Sequence, residues 1–282
     1  MNFFNKRNIA IKEINKCIDE KKETLDISDM NLIELPIELK EAIHLEILRC
    51  DSNLIKKIEN IPPNLKSLSI TNNCIKVVEN LTNSLEMLDI SGNIIEDLNI
   101  LSDIHFLICN NNKICNIINI PNSLQILLCS NNELVDIDSI NNKNIKTLNC
   151  SNNKIIKLNN LPKTIEILDC SNNPINEILN IPHTLNKLVC YNTVQLINID
   201  PKVLLLQNLE GLNMWAKNNL RNLYANKIQR NAQIYLYKKK YKRRKLIKHI
   251  NDVSTFPANM NVLALKVYYV NPYCNIASKG IK

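Results

Sequence analysis

Cysteine offers this chain its widest range of possible chemistry, because thiolates bind metals, form disulfides and act as nucleophiles. The chain has ten cysteines and four histidines, but it contains no C-x-x-C pair and its histidines are scattered. Six of the cysteines recur at one position of a repeating phrase: Cys50, Cys109, Cys129, Cys150, Cys170 and Cys190. This phase predicts free thiols buried where leucine would otherwise pack, no metal site, and a reducing compartment.

Asparagine is the second residue type with regular spacing. Seven copies close the same phrase: Asn53, Asn73, Asn93, Asn112, Asn132, Asn153 and Asn173. Successive members lie 19 to 21 residues apart. A carboxamide both donates and accepts hydrogen bonds, so an inward-facing asparagine can satisfy backbone groups that a sharp turn would leave buried and unpaired. We therefore predict a structural asparagine ladder.

The elements that hold these residues follow from the repeat itself. Leu127-x-Cys129-Ser130-Asn131-Asn132 is one of the clearest copies. A period of about 20 residues with the spacing L-x-x-L-x-L-x-x-N/C is that of a leucine-rich repeat. The predicted fold class is α/β, a leucine-rich-repeat solenoid with a curved parallel sheet on its concave side. The convex side is predicted to be extended or turn-like, because so short a repeat leaves no room there for a helix.

The predicted organisation has four parts. Residues 1–24 form an N-terminal helical cap, and residues 25–200 form a solenoid of about nine repeats. Residues 201–251 form a basic helical segment, and residues 252–282 form a C-terminal tail. The apolar face predicted for the cap consists of Ile9, Ile11, Ile14 and Ile18.

Residues 25–200 resemble two groups of known proteins. Asn160-Leu161-Pro162-Lys163-Thr164-Ile165-Glu166-x-Leu168 resembles the short repeats of effectors injected by bacterial pathogens. The heavy use of Asn, Ile and Lys resembles leucine-rich-repeat proteins of mimivirus-like giant viruses, which would place the chain in host cytoplasm. Some bacterial effectors of this shape carry a ubiquitin-ligase domain, but too few residues follow the repeats for that domain, and Cys274 lies in no matching motif. The resemblance therefore does not imply ligase activity.

Catalysis and membrane insertion are not predicted. The chain has three glycines and no P-loop, nucleophile elbow or metal-ligand spacing, so we predict no enzyme activity, no cofactor and no small-molecule substrate. It has no apolar run long enough to span a bilayer. Its first residues lack the apolar core and cleavage site of a signal peptide. These features predict a cytoplasmic protein.

The outward positions of the predicted strands identify a candidate binding surface on the concave face. A solvated sheet should be polar there, yet the centre carries Phe106, Ile108, Ile126 and Leu128 side by side, with Met87 and Ile167 nearby. Arg49, Asp89, Asp169 and Lys187 form a predicted polar rim. An apolar centre within a polar rim is typical of a protein interface, which predicts a partner protein of unknown identity. Two alternatives stay open: a register error of one residue, and coverage by residues 252–282.

A second signal lies after the repeats. Residues 211–251 contain twelve lysines and arginines and no acidic residue. Leu220, Tyr224, Ile228, Ala232 and Leu236 recur every four residues, which predicts a basic amphipathic helix.

Part of this helix resembles the IQ motif, which binds calmodulin and related light chains. The matching positions are Ile228, Gln229, Lys238, Lys239 and Tyr241, whereas Gln233-Ile234 replaces the central Arg-Gly of the motif. The sequence leaves three interpretations of the helix open: a C-terminal cap, a site for a calmodulin-like protein, or a contact with nucleic acid or an anionic membrane.

Overall fold

The computed structural model describes residues 3–141, 143–193, 198–199 and 208–210. The predicted tail 252–282 and most of the predicted basic segment lie outside the described residues. One α-helix precedes a series of short strands in the described part: α1 Phe3–Asp19, β1 Thr24–Asp26, β2 Ile47–Arg49, β3 Ser67–Ser69, β4 Met87–Asp89, β5 Asp97–Asn99, β6 Phe106–Ile108, β7 Asn116–Asn119, β8 Ile126–Leu128, β9 Thr147–Asn149, β10 Lys157–Leu158, β11 Ile167–Asp169, β12 Glu177–Ile178, β13 Lys187–Val189, β14 Asn198–Ile199 and β15 Asn208–Glu210.

Ten of these strands form one long parallel sheet, ordered β1-β2-β3-β4-β6-β8-β9-β11-β13-β15. Each repeat adds one strand, and equivalent residues pair across it, so that Leu107 lies opposite Leu127 and Leu127 lies opposite Leu148. These central leucines are fully buried, whereas both flanking residues on each strand reach solvent. The predicted parallel-sheet solenoid and its register are confirmed.

The long sheet extends past residue 200, where the sequence pattern placed the end of the array. Strand β15 pairs in parallel with β13, and Leu209 lies opposite Leu188. The sequence contains little sign of this strand because Gly211 stands where other repeats carry cysteine or isoleucine, and no asparagine phrase follows.

The opposite side of the repeats is extended, as predicted. Two small parallel sheets, β5-β7 and β10-β12-β14, lie there within the described residues. Short 3-10 helices at Ile37–Glu41 and Asp138–Ile140 replace a strand in two repeats. The backbone then turns at proline: Leu65 donates its N–H to Pro62 and Leu185 to Pro182, at 3.3 Å in both cases. Each of these turns leads into the next strand of the long sheet.

Helix α1 packs against β1 and the 3-10 helix Ile37–Glu41. Its buried face differs from the predicted one, because Ala10, Ile14 and Cys17 are buried whereas Ile9 is exposed. These three residues lie on one stripe at helical spacing, and the bulkier isoleucines border it. The helix is present as predicted, but of the four predicted isoleucines only Ile14 is fully buried.

The six repeated cysteines form a buried ladder inside the solenoid, and every cysteine described by the structure is a free thiol. Cys129 donates its S–H to the carbonyl of Asn149 at 3.3 Å, and Cys190 donates to that of Glu210 at 3.4 Å. Burial raises the pKa of Cys50, Cys109, Cys129, Cys150 and Cys170 above the ordinary range of a thiol. The ladder therefore consists of protonated thiols that pack as small apolar side chains.

Candidate functional site

The predicted asparagine ladder lies where each repeat leaves the long sheet. Asn132 accepts the N–H of Ile114 at 2.9 Å and donates to the carbonyls of Cys109 and Cys129, both at 3.0 Å, and of Ser130 at 3.2 Å. Equivalent bonds recur along the series: the amide oxygens of Asn73, Asn93, Asn112, Asn153 and Asn173 accept the N–H of Ile55, Ile75, Ile95, Leu134 and Ile155. One carboxamide per repeat thus joins two neighbouring turns of the solenoid.

The ends of the ladder differ from its middle. Asn53 accepts two N–H groups, from Met30 and Leu32, and Met30 itself occupies the ladder position of the first repeat. Thr193 takes the position in the last recognisable copy and donates its hydroxyl to the carbonyl of Cys190 at 3.2 Å. Of the seven asparagines, six are buried and Asn112 is half-buried.

The residue before each ladder asparagine adopts a left-handed backbone, which the sequence analysis did not identify. This position has φ near +55° at Asn111, Asn131, Asn152 and Asn172, and glycine replaces asparagine at Gly92, where φ is 66°. Asparagine and glycine tolerate this region better than other residues. In the sequence, the Asn-Asn pair of the repeated phrase indicates this left-handed position.

At Gly92 the neighbouring repeat also limits the space. A Cβ atom built there would lie 2.3 Å from the Oδ1 atom of Asn72 and 3.2 Å from the Asn72 backbone nitrogen. We expect Gly92→Val to lower the free energy of unfolding by about 1–3 kcal/mol, because a β-branched residue is strained at positive φ. Urea unfolding will measure the change. Gly92→Asn is the matched control, since asparagine occupies this position in adjacent repeats, and an equal loss in both variants would contradict the backbone explanation.

The predicted apolar centre is brought together on the outward face of the long sheet, here called the sheet face. Met87, Phe106 and Ile126 form one row across β4, β6 and β8, and Ile108 and Leu128 form a second row beside it. We call these five side chains the apolar patch. Met87 and Phe106 are 37% and 41% exposed, and the other three are half-buried. The patch therefore covers five of the six outward positions on β4, β6 and β8, and Asp89 on β4 is the sixth.

Ile167, predicted to lie near this centre, is two strand steps from Ile126 and is not counted in the patch. It is exposed on β11, and Thr147 of β9 occupies the same row between it and Ile126. Asn149 separates Leu128 from Asp169 in the second row. The two intervening polar residues leave Ile167 as an isolated apolar side chain.

The charged residues of the predicted rim differ in whether they form an ion pair. Arg49 pairs with Asp51 at 3.2 Å, and Lys187 pairs with Glu210 on β15 at 3.0 Å. Asp89 and Asp169 instead bind only backbone, each through one oxygen that accepts an N–H two residues ahead, from Ser91 and Ser171, at 3.0 Å. Their carboxylates are thereby oriented on the sheet face without an ion-pair partner within 4.0 Å among the described residues.

The carboxylate of Asp51, unlike those of Asp89 and Asp169, has side-chain as well as backbone partners. Its oxygens accept hydrogen bonds from the hydroxyl of Ser69 at 2.7 Å and the N–H of Thr71 at 2.8 Å, besides the contact with Arg49. Burial opposes ionisation of this carboxyl, but the hydrogen bonds outweigh burial and hold its pKa below the ordinary value. Asp51 therefore stabilises the sheet, and Arg49 is neutralised by it.

Sequence analysis missed two exposed acidic residues at the edge of this face, where strands of the long sheet begin. Glu86 and Glu166 immediately precede β4 and β11 and are exposed. No ion pair within 4.0 Å involves either glutamate among the described residues. They lie one position before the outward strand residues on which the sequence analysis concentrated.

Other candidate chemistry is sparse in the described part of the chain. No group of three or more His, Cys, Asp or Glu side chains there could hold a metal ion. A polar cleft of about 410 Å3 lies beside the end of α1, but Lys66 and Glu46 in its wall already pair at 2.6 Å. No described helix is both long and apolar enough to cross a membrane. The IQ-like residues Ile228, Gln229, Lys238, Lys239 and Tyr241 lie outside the described residues.

Comparison with known proteins defines the fold class. No protein-family model and no curated protein matches the sequence. The leucine-rich-repeat domain of a Shigella effector superposes with a TM-score of 0.52 at 22% identity, over 60% of this chain and 78% of that domain. The chain therefore folds as a leucine-rich-repeat solenoid.

Two further solved structures are less similar. An internalin, InlF, from Listeria monocytogenes gives a TM-score of 0.48 at 19% identity, over 68% of this chain and 61% of its own. The effector YopM from Yersinia pestis gives 0.43 at 18% identity, over 73% of this chain and 53% of its own. Identities this low concern the fold and not the function.

Proposed function

We propose that this chain is a non-enzymatic protein-binding module that captures a partner protein on the sheet face of its repeats. The observation that supports the proposal most is the apolar patch, whose five side chains lie on three adjacent strands of a sheet face that is otherwise mainly polar. Monomeric proteins seldom expose contiguous apolar groups without a binding role. The patch lies between orienting polar groups, including Asp89 and Asp169, in the manner of an interface centre and its rim.

The repeat architecture supports this function independently of any resemblance to a particular protein. Each repeat places two outward side chains at a fixed position, so the face is a rigid array on which a partner can be recognised with little ordering cost. The likeness to giant-virus proteins, the reducing compartment and the cytoplasmic location stay predictions from the sequence.

We expect Phe106→Asp combined with Ile126→Asp to abolish capture of the partner from an extract of the native cells. Two carboxylates at the patch centre would have to be desolvated in the complex, which costs far more than the apolar contacts contribute. Affinity capture with quantitative mass spectrometry, together with a circular-dichroism check of folding, is the measurement.

The matched control makes the same chemical change elsewhere. Leu101 and Val135 are 81% and 52% exposed and lie outside the long sheet. Leu101→Asp combined with Val135→Asp should leave capture unchanged. If the patch variant folds and still captures the same proteins as the wild-type chain, the proposal is wrong.

A second candidate function rests on the basic composition of residues 211–251 and on the IQ-like positions. In this alternative, the repeats hold a basic helix that binds a calmodulin-like protein, nucleic acid or an anionic membrane.

Titration with calmodulin, with and without calcium, followed by emission of the single tryptophan, Trp215, tests the alternative. Saturable one-to-one binding that survives high salt would support the calmodulin interpretation of this segment. Binding that added salt abolishes would instead indicate a generic polyanion contact.

A further inference from the structure

We propose that the partner segment recognised by the apolar patch is basic on both sides of an apolar centre. This inference rests on the proposed function and specifies the chemistry of its partner. Apolar side chains of the segment pack on the patch, while flanking lysines or arginines pair with two acidic clusters on either side of it, one at β4 and one at β11. The clusters are Glu86 with Asp89, and Glu166 with Asp169.

One cluster borders the patch at β4, and the other lies on β11, beyond Thr147 and Asn149 of β9. Glu86 and Asp89 belong to β4 and its preceding residue, and Asp89 lies directly opposite Ile108 of the patch. Glu166 and Asp169 belong in the same way to β11. Four strand steps separate β4 from β11 in the order of the long sheet. At ~4.8 Å per step, the acidic clusters lie about 19 Å apart.

Ion pairing separates these four carboxylates from Glu46, Asp51 and Glu210, each of which pairs with a lysine or arginine. Arg49, Lys66 and Lys187 each contact one of those three carboxylates within 3.2 Å. Glu23 and Asp26, beside β1 and three strand steps from β4, also form no ion pair within 4.0 Å among the described residues. None of the four bracketing carboxylates forms an ion pair within 4.0 Å among the residues that the structure describes. Between β4 and β11, Lys146 is the one lysine or arginine of the described sheet face.

The negative charge of the four carboxylates favours a partner segment with basic flanks. A binding segment excludes water from the patch, which strengthens the interaction of nearby charges with the carboxylates at its borders. A segment with acidic flanks would meet like charges there, and that penalty discriminates against it. The chain as a whole has a formal charge of +8, but interactions beyond a Debye length of about 8 Å are screened, so the four local carboxylates dominate at contact. Nucleic acid and anionic membrane are disfavoured at this face for the same reason.

The spacing of the clusters also constrains the segment. An extended segment spans about 19 Å with about six residues, at ~3.3 Å each. A helical segment needs about thirteen residues for the same span, at ~1.5 Å each. Basic positions are therefore expected about six residues apart in an extended partner and about thirteen apart in a helical one, with apolar residues between them.

Selection from a displayed library of random 16-residue peptides on the immobilised full chain tests the inference. Three variants accompany the wild type. The face variant is Glu86→Gln, Asp89→Asn, Glu166→Gln and Asp169→Asn. The control variant is Asp19→Asn, Glu41→Gln, Glu79→Gln and Asp136→Asn, which changes the net charge equally at exposed positions off the sheet face. The patch variant is Phe106→Asp with Ile126→Asp. Asp136 resembles Asp89 in accepting an N–H two residues ahead, from Asp138 at 3.2 Å.

We expect wild-type selection to enrich peptides with an apolar centre and lysine or arginine on both sides. The Kd of the best peptide, measured by fluorescence anisotropy, should rise about tenfold in the face variant and stay unchanged in the control variant. Enrichment of uncharged or acidic peptides, or an equal Kd in the face variant, would overturn the inference.

The outcomes separate this inference from the proposed function. Loss of peptide binding in the patch variant together with an unchanged Kd in the face variant overturns the inference and leaves the function standing. Peptide binding that persists in the patch variant, or no enrichment above that variant, overturns the proposed function. A dimer in size-exclusion chromatography that the patch variant dissociates would assign the patch to a second copy, and would also overturn the inference.

Discussion

Raising the pH from 7.5 to 9.5 is expected to lower the free energy of unfolding by about 4–7 kcal/mol, if five buried thiols titrate only after unfolding. Burial raises the pKa of Cys50, Cys109, Cys129, Cys150 and Cys170 in the folded chain. In the unfolded chain these thiols ionise near pH ~8.5–9. The stability that they contribute is therefore fully present below that pH and is lost as the pH rises above it.

The expected loss of stability at high pH is large because five thiols of the ladder contribute to it in the same way. Each thiol that ionises only in the unfolded chain lowers the free energy of unfolding by about 1.4 kcal/mol for every pH unit above its pKa in that state. The sum is comparable with the whole stability of an ordinary domain, about 5–15 kcal/mol. Urea unfolding in a reducing buffer at several pH values will measure it.

Cys129→Val combined with Cys150→Val is the control for the thiol ladder. Isoleucine already stands at the equivalent positions Ile70 and Ile90, so the core accepts a branched apolar side chain there. The double variant should lose about two fifths of the pH dependence, since two of five titrating thiols are removed. An unchanged slope would mean that other groups cause the alkaline loss of stability.

Asn132→Leu is expected to lower the free energy of unfolding by about 2–4 kcal/mol. Leucine has a similar size but cannot accept the N–H of Ile114 or donate to the carbonyls of Cys109 and Cys129. These backbone groups would stay buried without partners, and the penalty falls on two neighbouring repeats at once. Urea unfolding at pH 7.5 is the measurement.

The same substitution at an exposed asparagine isolates the cause. Asn122 is exposed, and the one hydrogen bond that its side chain forms with the described residues is accepted from the Nζ atom of Lys143, at 3.2 Å. Asn122→Leu should change the free energy of unfolding by no more than about 0.5 kcal/mol. Equal losses at Asn122 and Asn132 would contradict the structural role of the ladder.

Most of the fold could be predicted from the sequence because the repeat specifies it. Leucine at the centre of each strand, cysteine two residues later and asparagine at the turn fix which side chains face inward, and burial of Leu107 and Cys109 confirms the register. The last strand of the long sheet could not be predicted, because Gly211 interrupts the pattern. The buried face of α1 was predicted only in part, because the small residues Ala10 and Cys17 share the buried stripe with Ile14, whereas the predicted face contained isoleucines alone.

The candidate site could be predicted only in part from the sequence. The ion pairs of its charged residues depend on neighbouring residues that the repeat does not specify. Lys187 appeared as a free rim charge, yet its partner Glu210 lies on the strand that the pattern missed. Arg49 likewise pairs with Asp51 beyond the outward strand positions. The order of the repeats in the sequence already places Thr147 between Ile126 and Ile167, and the strand pairing agrees with it.

Site-specific photo-crosslinking tests the central claim most directly. Benzoylphenylalanine at position 106 replaces one aromatic side chain with another in the apolar patch, and the same residue at Ile118, which is 54% exposed on β7, is the matched control. Irradiation in an extract of the native cells should join a distinct protein to position 106 and not to position 118. The same adducts at both positions, or none at position 106 in a folded chain, would contradict a binding role for the sheet face.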